Sequence, residues 1–127
     1  MKIAINFFNN NIIEAIGGGI YKISARQNGK QEILYIGESF SMIIRCAAHL
    51  YSLKNSPDYF GFTNETIKRT DIEIVIEVLE EEKNKKTRKQ NEKKYIKDYE
   101  PIMQSGISDR MKSIDEKIAA LEEFLDR

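Results

Sequence analysis

Residues 19–37 read GIYKISARQNGKQEILYIG. The β-prone stretches 20–25 and 32–36 stand on either side of Asn28-Gly29, a dipeptide that is the strongest short-range signal for a β-hairpin. Residues 71–80 then alternate so that a third strand has one apolar face, formed by Ile72, Ile74, Ile76 and Val78. These three strands form the predicted sheet.

Helices are predicted on both sides of the third strand. Residues 40–54 place apolar side chains at helical spacing, which predicts a buried stripe made of Phe40, Ile44, Ala47 and Tyr51. Residues 55–69 are typical of an irregular connection, and residues 82–99 of a helix that ends before Pro101. The apolar residues 3–8 and a short helix that begins at Asn11 read as a packing flank.

A last helix is predicted at about residues 109–126. Its apolar residues are spaced as in fewer than three heptads, and they are Ile107, Met111, Ile114, Ile118, Leu121 and Leu125. Such a seam packs either on its own domain or on a second copy, as a homodimer. The whole pattern predicts an α+β fold, with a small three-stranded antiparallel sheet flanked by helices and a C-terminal helix.

Length and composition exclude several classes of protein. The chain has 127 residues, of which 41% are hydrophobic, and this predicts one globular domain. No apolar run approaches the roughly 20 residues that span a bilayer, and no secretory signal is visible, so we expect a cytoplasmic protein that does not enter a membrane. One cysteine and one histidine exclude a Cys/His zinc cluster.

Charge is balanced overall but not along the chain. The sequence has 20 basic and 20 acidic residues, yet residues 81–99 carry 8 positive and 4 negative charges. This basic segment is either an ordinary solvated helix face or a surface that binds nucleic acid.

Glu92 stands out within the basic helix. It shares a helical stripe with Tyr95, Ile96 and Tyr99, and a buried carboxylate needs a cationic partner or a metal ion. The alternative is that the apolar stripe begins at Tyr95 and leaves Glu92 at the wet rim.

Two further residues share a face of the helix predicted at 40–54. Arg45 and His49 are four residues apart, beside the predicted apolar stripe. Each has an ordinary explanation as a surface residue, as Tyr21 and Tyr35 have as strand residues.

Taken together, these residues match a known family. Residues 19–21 (Gly-Ile-Tyr) and 35–37 (Tyr-Ile-Gly) resemble the two motifs that name the GIY-YIG nucleases. In that family an Arg follows the second motif's Tyr by ten residues and a His often by fourteen, the positions of Arg45 and His49. The family's metal-binding Glu lies in a run similar to residues 92–101, Glu-x-x-Tyr-Ile-x-x-Tyr-x-Pro.

The resemblance covers about residues 19–104 and divides the chain into three parts. These are an N-terminal flank at 1–18, a GIY-YIG-like nuclease domain at 19–104 and an amphipathic helix at 105–127. One departure is visible, because Gln104 and Ser105 stand where the family usually has an Asn.

The resemblance implies an endonuclease that hydrolyses phosphodiester bonds in DNA with Mg²⁺ or Mn²⁺. It implies that Glu92 binds the cation and that Tyr21 is the base, with a pKa lowered by Arg45. Tyr35 would position the water or phosphate, Arg45 would stabilise transition-state charge, and His49 would handle protons or bind phosphate. The basic residues that would hold the DNA backbone are Lys85, Lys86, Arg88, Lys89, Lys93 and Lys94.

Two other functions are consistent with the sequence. One is a catalytically inactive GIY-YIG-like module that binds nucleic acid or a protein. The other is an interaction protein in which the terminal heptad seam matters most and the motif match is accidental.

A shared site requires Tyr21 and Tyr35 on one face of the sheet. A regular two-residue turn at Asn28-Gly29 would pair Tyr35 with Lys22 and put the two tyrosines on opposite faces. We therefore predict a bulge or an odd-length loop between Ala25 and Glu32.

Overall fold

The computed structural model describes residues 3–103, apart from the side chain of Tyr59. Within this range the chain is an α+β fold with three α-helices and one mixed four-stranded sheet. The elements in chain order are β1 (Ala4–Phe7), α1 (Ile12–Ala15), β2 (Gly19–Gln27), β3 (Lys30–Ser39), α2 (Met42–Asn55), two 3₁₀ turns (Pro57–Phe60 and Thr66–Lys68), β4 (Ile72–Glu81) and α3 (Lys85–Tyr99). The predicted C-terminal helix and Gln104 lie outside the described residues.

The sheet has one strand more than the sequence predicts. Its order is β1-β4-β2-β3; β2 pairs antiparallel with β3, as the hairpin signal predicts, and it also pairs antiparallel with β4. The additional strand β1 pairs in parallel with β4, with Ala4 opposite Glu73. β1 has four residues, and so short an apolar run does not show by periodicity alone whether it is a strand or a packing flank.

The hairpin turn is regular, so the predicted location of the bulge is wrong. Asn28 and Gly29 have φ angles of 53° and 78°, as a two-residue type I′ turn requires, and Gln27 pairs with Lys30. The extra residue is Leu34, inside β3, because Ser24 pairs with Ile33 while Ile23 pairs with Tyr35. Because Asn-Gly strongly favours a regular two-residue turn, the extra residue lies within β3 and not in the turn.

The bulge at Leu34 puts both tyrosines on one face of the sheet. Tyr21 pairs with Gly37 and Ile23 pairs with Tyr35, and directly paired residues share a face. Both tyrosines therefore lie on the same face of the sheet, as a shared site requires. Helix α2 lies over this face and closes the main core.

The face of α2 that packs on the sheet differs from the predicted one. Phe40, Ile44 and Tyr51 are 75%, 62% and 72% exposed. The buried positions are Met42, Cys46, His49 and Leu53, and they too follow helical spacing. His49 makes this stripe look polar in sequence, but a polar ring can be buried when it is hydrogen-bonded.

Helix α3 begins later than predicted, at Lys85, because Asn84 caps it. The Asn84 side chain accepts a hydrogen bond of 2.9 Å from the Thr87 backbone N–H. After α3 the chain runs along β3, where the backbone N–H groups of Ile102 and Met103 donate to carbonyls of that strand. These bonds cover part of an otherwise open strand edge. No helix in the stretch 3–103 is long and apolar enough to cross a membrane.

Candidate active site

A buried hydrogen bond between Tyr21 and His49 forms the centre of the site. Tyr21 lies on β2 with no exposed surface, and His49 lies on α2 with 2% exposed. The Tyr21 hydroxyl oxygen is 2.7 Å from His49 Nε2, across 28 residues of sequence. The two side chains that the motifs select are therefore brought together by the fold.

Two aromatic rings fix the position of the imidazole. The centroids of the Tyr35 and His49 rings are 5.0 Å apart, with the planes at 60°. Phe60, from the first 3₁₀ turn, meets the same imidazole edge-on at 5.7 Å. The sequence did not single out Phe60; the only signal was an aromatic residue inside a predicted loop.

Arg45 joins the pair from the exposed side of α2. It lies one helical turn before His49, and its guanidinium hydrogen-bonds the Tyr21 hydroxyl. A phenolic oxygen has one proton to donate and two lone pairs. Tyr21 can therefore accept from Arg45 and donate to His49 at the same time, and one lone pair is left over.

Burial sets the protonation of this group. It raises the pKa of Tyr21 well above its ordinary value, and the nearby Cys46 thiol and Tyr35 phenol add to this effect. Arg45 lowers the Tyr21 pKa, as expected, but its effect is the smaller one. Burial outweighs Arg45, so the pKa of Tyr21 is raised overall, whereas the resemblance implies a lowered pKa.

Burial also lowers the pKa of His49, to about 4, and the positive charge of Arg45 acts in the same direction. His49 is therefore a neutral imidazole near pH 7, so its Nε2 can accept the Tyr21 proton. This is the protonation state that a proton acceptor needs.

The low His49 pKa predicts a pH dependence of stability. Between about pH 6.5 and pH 4 the unfolded chain binds a proton at His49 that the folded chain does not, so the free energy of unfolding falls as pH falls through this window. The His49 contribution is roughly 3 kcal/mol. Urea unfolding at several pH values should show a shallower decline for His49→Gln than for wild type. Parallel curves would mean that His49 titrates normally in the folded protein.

Close packing explains why glycine is needed at one position in each of the two motifs. A Cβ on Gly37 would lie 2.5 Å from Cζ of Tyr21 and 2.8 Å from Cε2 of Tyr35. A Cβ on Gly19 would lie 2.7 Å from Cε of Met42 and closer still to the Glu80 carbonyl oxygen. Gly37 thus makes room for both tyrosine rings, and Gly19 allows α2 and β4 to approach β2.

Glu92 reaches the end of the second motif from α3. Its half-buried carboxyl lies close enough to Glu38, the residue after Gly37, for the Glu38 backbone to lower its pKa. Burial and the Glu38 carboxylate raise the Glu92 pKa, whereas Lys89 and Lys93 act against this.

A hard divalent cation fits Glu92 as a single protein ligand. Carboxylate oxygen is the donor that Mg²⁺ and Mn²⁺ prefer, and a cation would relieve the like-charge contact between Glu92 and Glu38. No group of three or more metal-ligating side chains occurs in the described part of the chain. Water and substrate oxygens would have to complete the coordination.

The basic residues of α3 fall into two groups. Lys85, Lys86, Lys89, Lys93 and Lys94 are exposed. Arg88 is only 5% exposed, and its Nε donates to Glu38 Oε2 at 2.8 Å, so its side chain does not belong to the exposed surface. In a helix this rich in charge, the sequence does not show which side is buried.

Cys46 is a buried free thiol on α2. The chain matches no family model, no curated protein and no solved structure.

Proposed function

We propose that this chain is a metal-dependent endonuclease that hydrolyses phosphodiester bonds in DNA, with a GIY-YIG type fold and active site. The observation that carries the proposal is the contact of Tyr21 with both His49 and Arg45 in one buried cluster. Tyr35 packs on the same imidazole. Such a cluster of polar groups is costly to bury unless its members bond one another, and it has the groups that phosphodiester hydrolysis needs.

Tyr21 and His49 form the proton path of this mechanism. The attacking water gives a proton to the Tyr21 hydroxyl oxygen while the phenol passes its own proton to His49 Nε2. The water oxygen bonds to phosphorus, the bond to the leaving oxygen breaks, and that oxygen takes a proton from solvent. His49 then returns its extra proton to solvent, which restores the starting state. Tyr21 stays neutral throughout, which agrees with its raised pKa.

Arg45 is the group that meets the phosphate. Its guanidinium stays charged at all relevant pH values and can grip two phosphate oxygens at once. It is exposed at the mouth of the cluster while also bonded to Tyr21, so it can orient the phosphate against the water-activating phenol. Tyr35 would line the same position.

Glu92 would hold the divalent cation. When bound, Mg²⁺ or Mn²⁺ supplies Lewis-acid polarisation of the phosphate and stabilises the leaving oxygen. Glu92 contributes one carboxylate ligand, and it lies close to Glu38 at the end of the second motif.

Exposed lysines on α3 would bind the DNA backbone. Lys86, Lys89 and Lys93 are spaced by three and four residues, so they form one stripe that runs past Glu92. This surface would supply affinity without sequence preference.

The lysine stripe predicts a salt dependence of binding. Each phosphate contact adds about 0.9 to the slope of log affinity against log salt concentration. Replacing Lys86, Lys89 and Lys93 together by Gln should lower this slope by about 2 to 3, measured by fluorescence anisotropy of a labelled duplex between about 50 and 200 mM salt. An unchanged slope would make the stripe an ordinary solvated face.

Cleavage of supercoiled plasmid tests the proposed function. Purified wild type is incubated with Mg²⁺, Mn²⁺ or EDTA beside Glu92→Gln, with Glu14→Gln on α1 as the matched control. We expect metal-dependent nicking or linearisation by wild type and the control, and none by Glu92→Gln. DNA binding without cleavage under all conditions, on branched as well as plasmid DNA, would instead favour an inactive binding module.

A further inference from the structure

Arg88 and Glu38 form a buried ion pair between α3 and the end of β3. Arg88 Nε lies 2.8 Å from Glu38 Oε2, with the two side chains 6% and 13% exposed. Lys89 adds a second contact, 3.3 Å to the other carboxylate oxygen of Glu38. Hydrogen bonds from these cations hold the pKa of Glu38 below its ordinary value although burial raises it, so Glu38 is ionised.

The same guanidinium fixes the start of α3. Its Nη1 donates to the Lys83 carbonyl at 2.8 Å and to the Glu82 carbonyl at 3.4 Å. The Glu82 backbone N–H in turn donates to the Gly18 carbonyl at 3.0 Å, just before the first motif. Arg88 therefore links the beginning of α3 to both strands that carry the motifs.

The contacts of Arg88 also determine the position of Glu92. It follows Arg88 by four residues, so the two side chains lie one turn apart on the same side of α3. Glu38 binds Arg88 through its carboxylate, and Glu38 lies close enough to Glu92 that its charge raises and its backbone lowers the pKa of the Glu92 carboxyl. A rotation or sliding of α3 would break the Arg88–Glu38 contact and would move Glu92 at the same time.

Stability alone is a poor explanation for the pair. Removing two charges from water costs several kcal/mol, and well-packed apolar residues are often as stabilising as a buried ion pair. A buried pair does, however, restrict the geometry of the groups around it. The group restricted here is the Glu92 carboxylate, which the proposed mechanism needs in a defined position.

We propose that Arg88 and Glu38 are positioning residues that hold the Glu92 carboxylate in the orientation required for a divalent cation. The inference rests on the proposed function, since it concerns the same site. Arg88 acts through Glu38 and the α3 backbone, and it touches neither the phosphate nor the water.

The test compares Arg88→Lys with wild type in two measurements. Lysine keeps the positive charge but lacks the guanidinium group, whose N–H donors bind Glu38 and two backbone carbonyls at once. Partners that orient a metal ligand typically contribute roughly 10- to 100-fold to metal affinity. Calorimetric titration with MnCl₂ in the absence of DNA should therefore show Mn²⁺ affinity lower by about that factor. The kcat for DNA cleavage should fall similarly while KM for DNA changes by less than about twofold.

Two variants complete the experiment. Glu38→Gln keeps the size and backbone of Glu38 but weakens its bond to Arg88, so it should show the same pattern and keeps the test decisive if Arg88→Lys does not fold. Arg26→Lys alters an exposed cross-strand pair, Arg26–Glu73 at 3.2 Å, and should leave Mn²⁺ affinity unchanged.

Three outcomes would overturn the inference. Wild-type Mn²⁺ affinity in both folded variants would show that the pair does not position Glu92. A rise in KM for DNA with unchanged Mn²⁺ affinity would make Arg88 a DNA contact. Wild type that neither binds Mn²⁺ nor cuts DNA would refute the proposed function itself, whereas the first two outcomes leave that function standing.

Discussion

Replacing Arg45 by alanine is expected to slow DNA cleavage by about 10²- to 10³-fold while the protein stays folded. A preorganised donor aimed at transition-state charge typically contributes a factor of this size. Arg45 is exposed, so its truncation opens no cavity in the core, and the loss of its bond to Tyr21 should lower the free energy of unfolding by about 1 kcal/mol. The measurement is kcat/KM on a labelled duplex, together with thermal unfolding.

A matched control lies on the same helix. Lys54 is also an exposed cation on α2, in its last turn, and Lys54→Ala should cut DNA within about threefold of wild type. Retained cleavage by a folded Arg45→Ala protein would remove Arg45 from the site. Equal losses in both variants would point to general electrostatic attraction of DNA instead.

Replacing Gly37 by alanine is expected to abolish cleavage and to destabilise the protein. The new methyl group would overlap the rings of Tyr21 and Tyr35, and neither ring has free space because both are buried. Overpacking of this kind typically costs about 1–3 kcal/mol. A displacement of Tyr21 that relieves the overlap would lengthen its 2.7 Å bond to His49.

Gly17→Ala is the control for this substitution. A Cβ on Gly17 would meet only the Glu14 carbonyl, at 3.9 Å, so the change should alter neither activity nor the unfolding midpoint appreciably. Cleavage and urea unfolding are measured on both variants. An active Gly37→Ala protein of wild-type stability would mean that the two tyrosines need not be packed as they are here.

Local signals predicted the strands that carry the site. Asn28-Gly29 fixes the hairpin because both residues accept positive φ, and the alternation of residues 72–78 gives the buried face of β4 correctly. The sequence also showed that the hairpin needs an extra residue, because a regular hairpin would put Tyr21 and Tyr35 on opposite faces of the sheet. Its location at Leu34 did not follow, since nothing local distinguishes Leu34 from its neighbours.

The choice of buried helix face could not be read from the sequence. Residues 40–54 contain two stripes at helical spacing, and the predicted one, with Phe40 just before α2 and with Ile44 and Tyr51 on it, is exposed. The buried stripe contains His49, whose burial is allowed by a partner 28 residues away in sequence. Hydrophobic periodicity depends only on which residues are apolar, so it does not show that a distant hydrogen bond allows a polar residue to be buried.

The same limit explains Arg88. A single arginine among lysines looks like one more surface cation, and only the position of Glu38 on β3 makes it a buried partner. Long-range pairs between charged residues leave no local pattern, so the helical stripe and the family resemblance both point to Glu92, whereas nothing in the sequence points to the pair beside it.

Plasmid cleavage by Tyr21→Phe and Tyr51→Phe tests the account most directly. Both changes remove one hydroxyl oxygen, the first from the buried bond to His49 and the second from a side chain that is 72% exposed on α2. With Mg²⁺ or Mn²⁺ present, we predict that wild type and Tyr51→Phe nick the plasmid at equal rates and that folded Tyr21→Phe is slower by at least about 10²-fold. Equal cleavage by Tyr21→Phe would contradict the assignment of the Tyr21–His49 cluster as the active site.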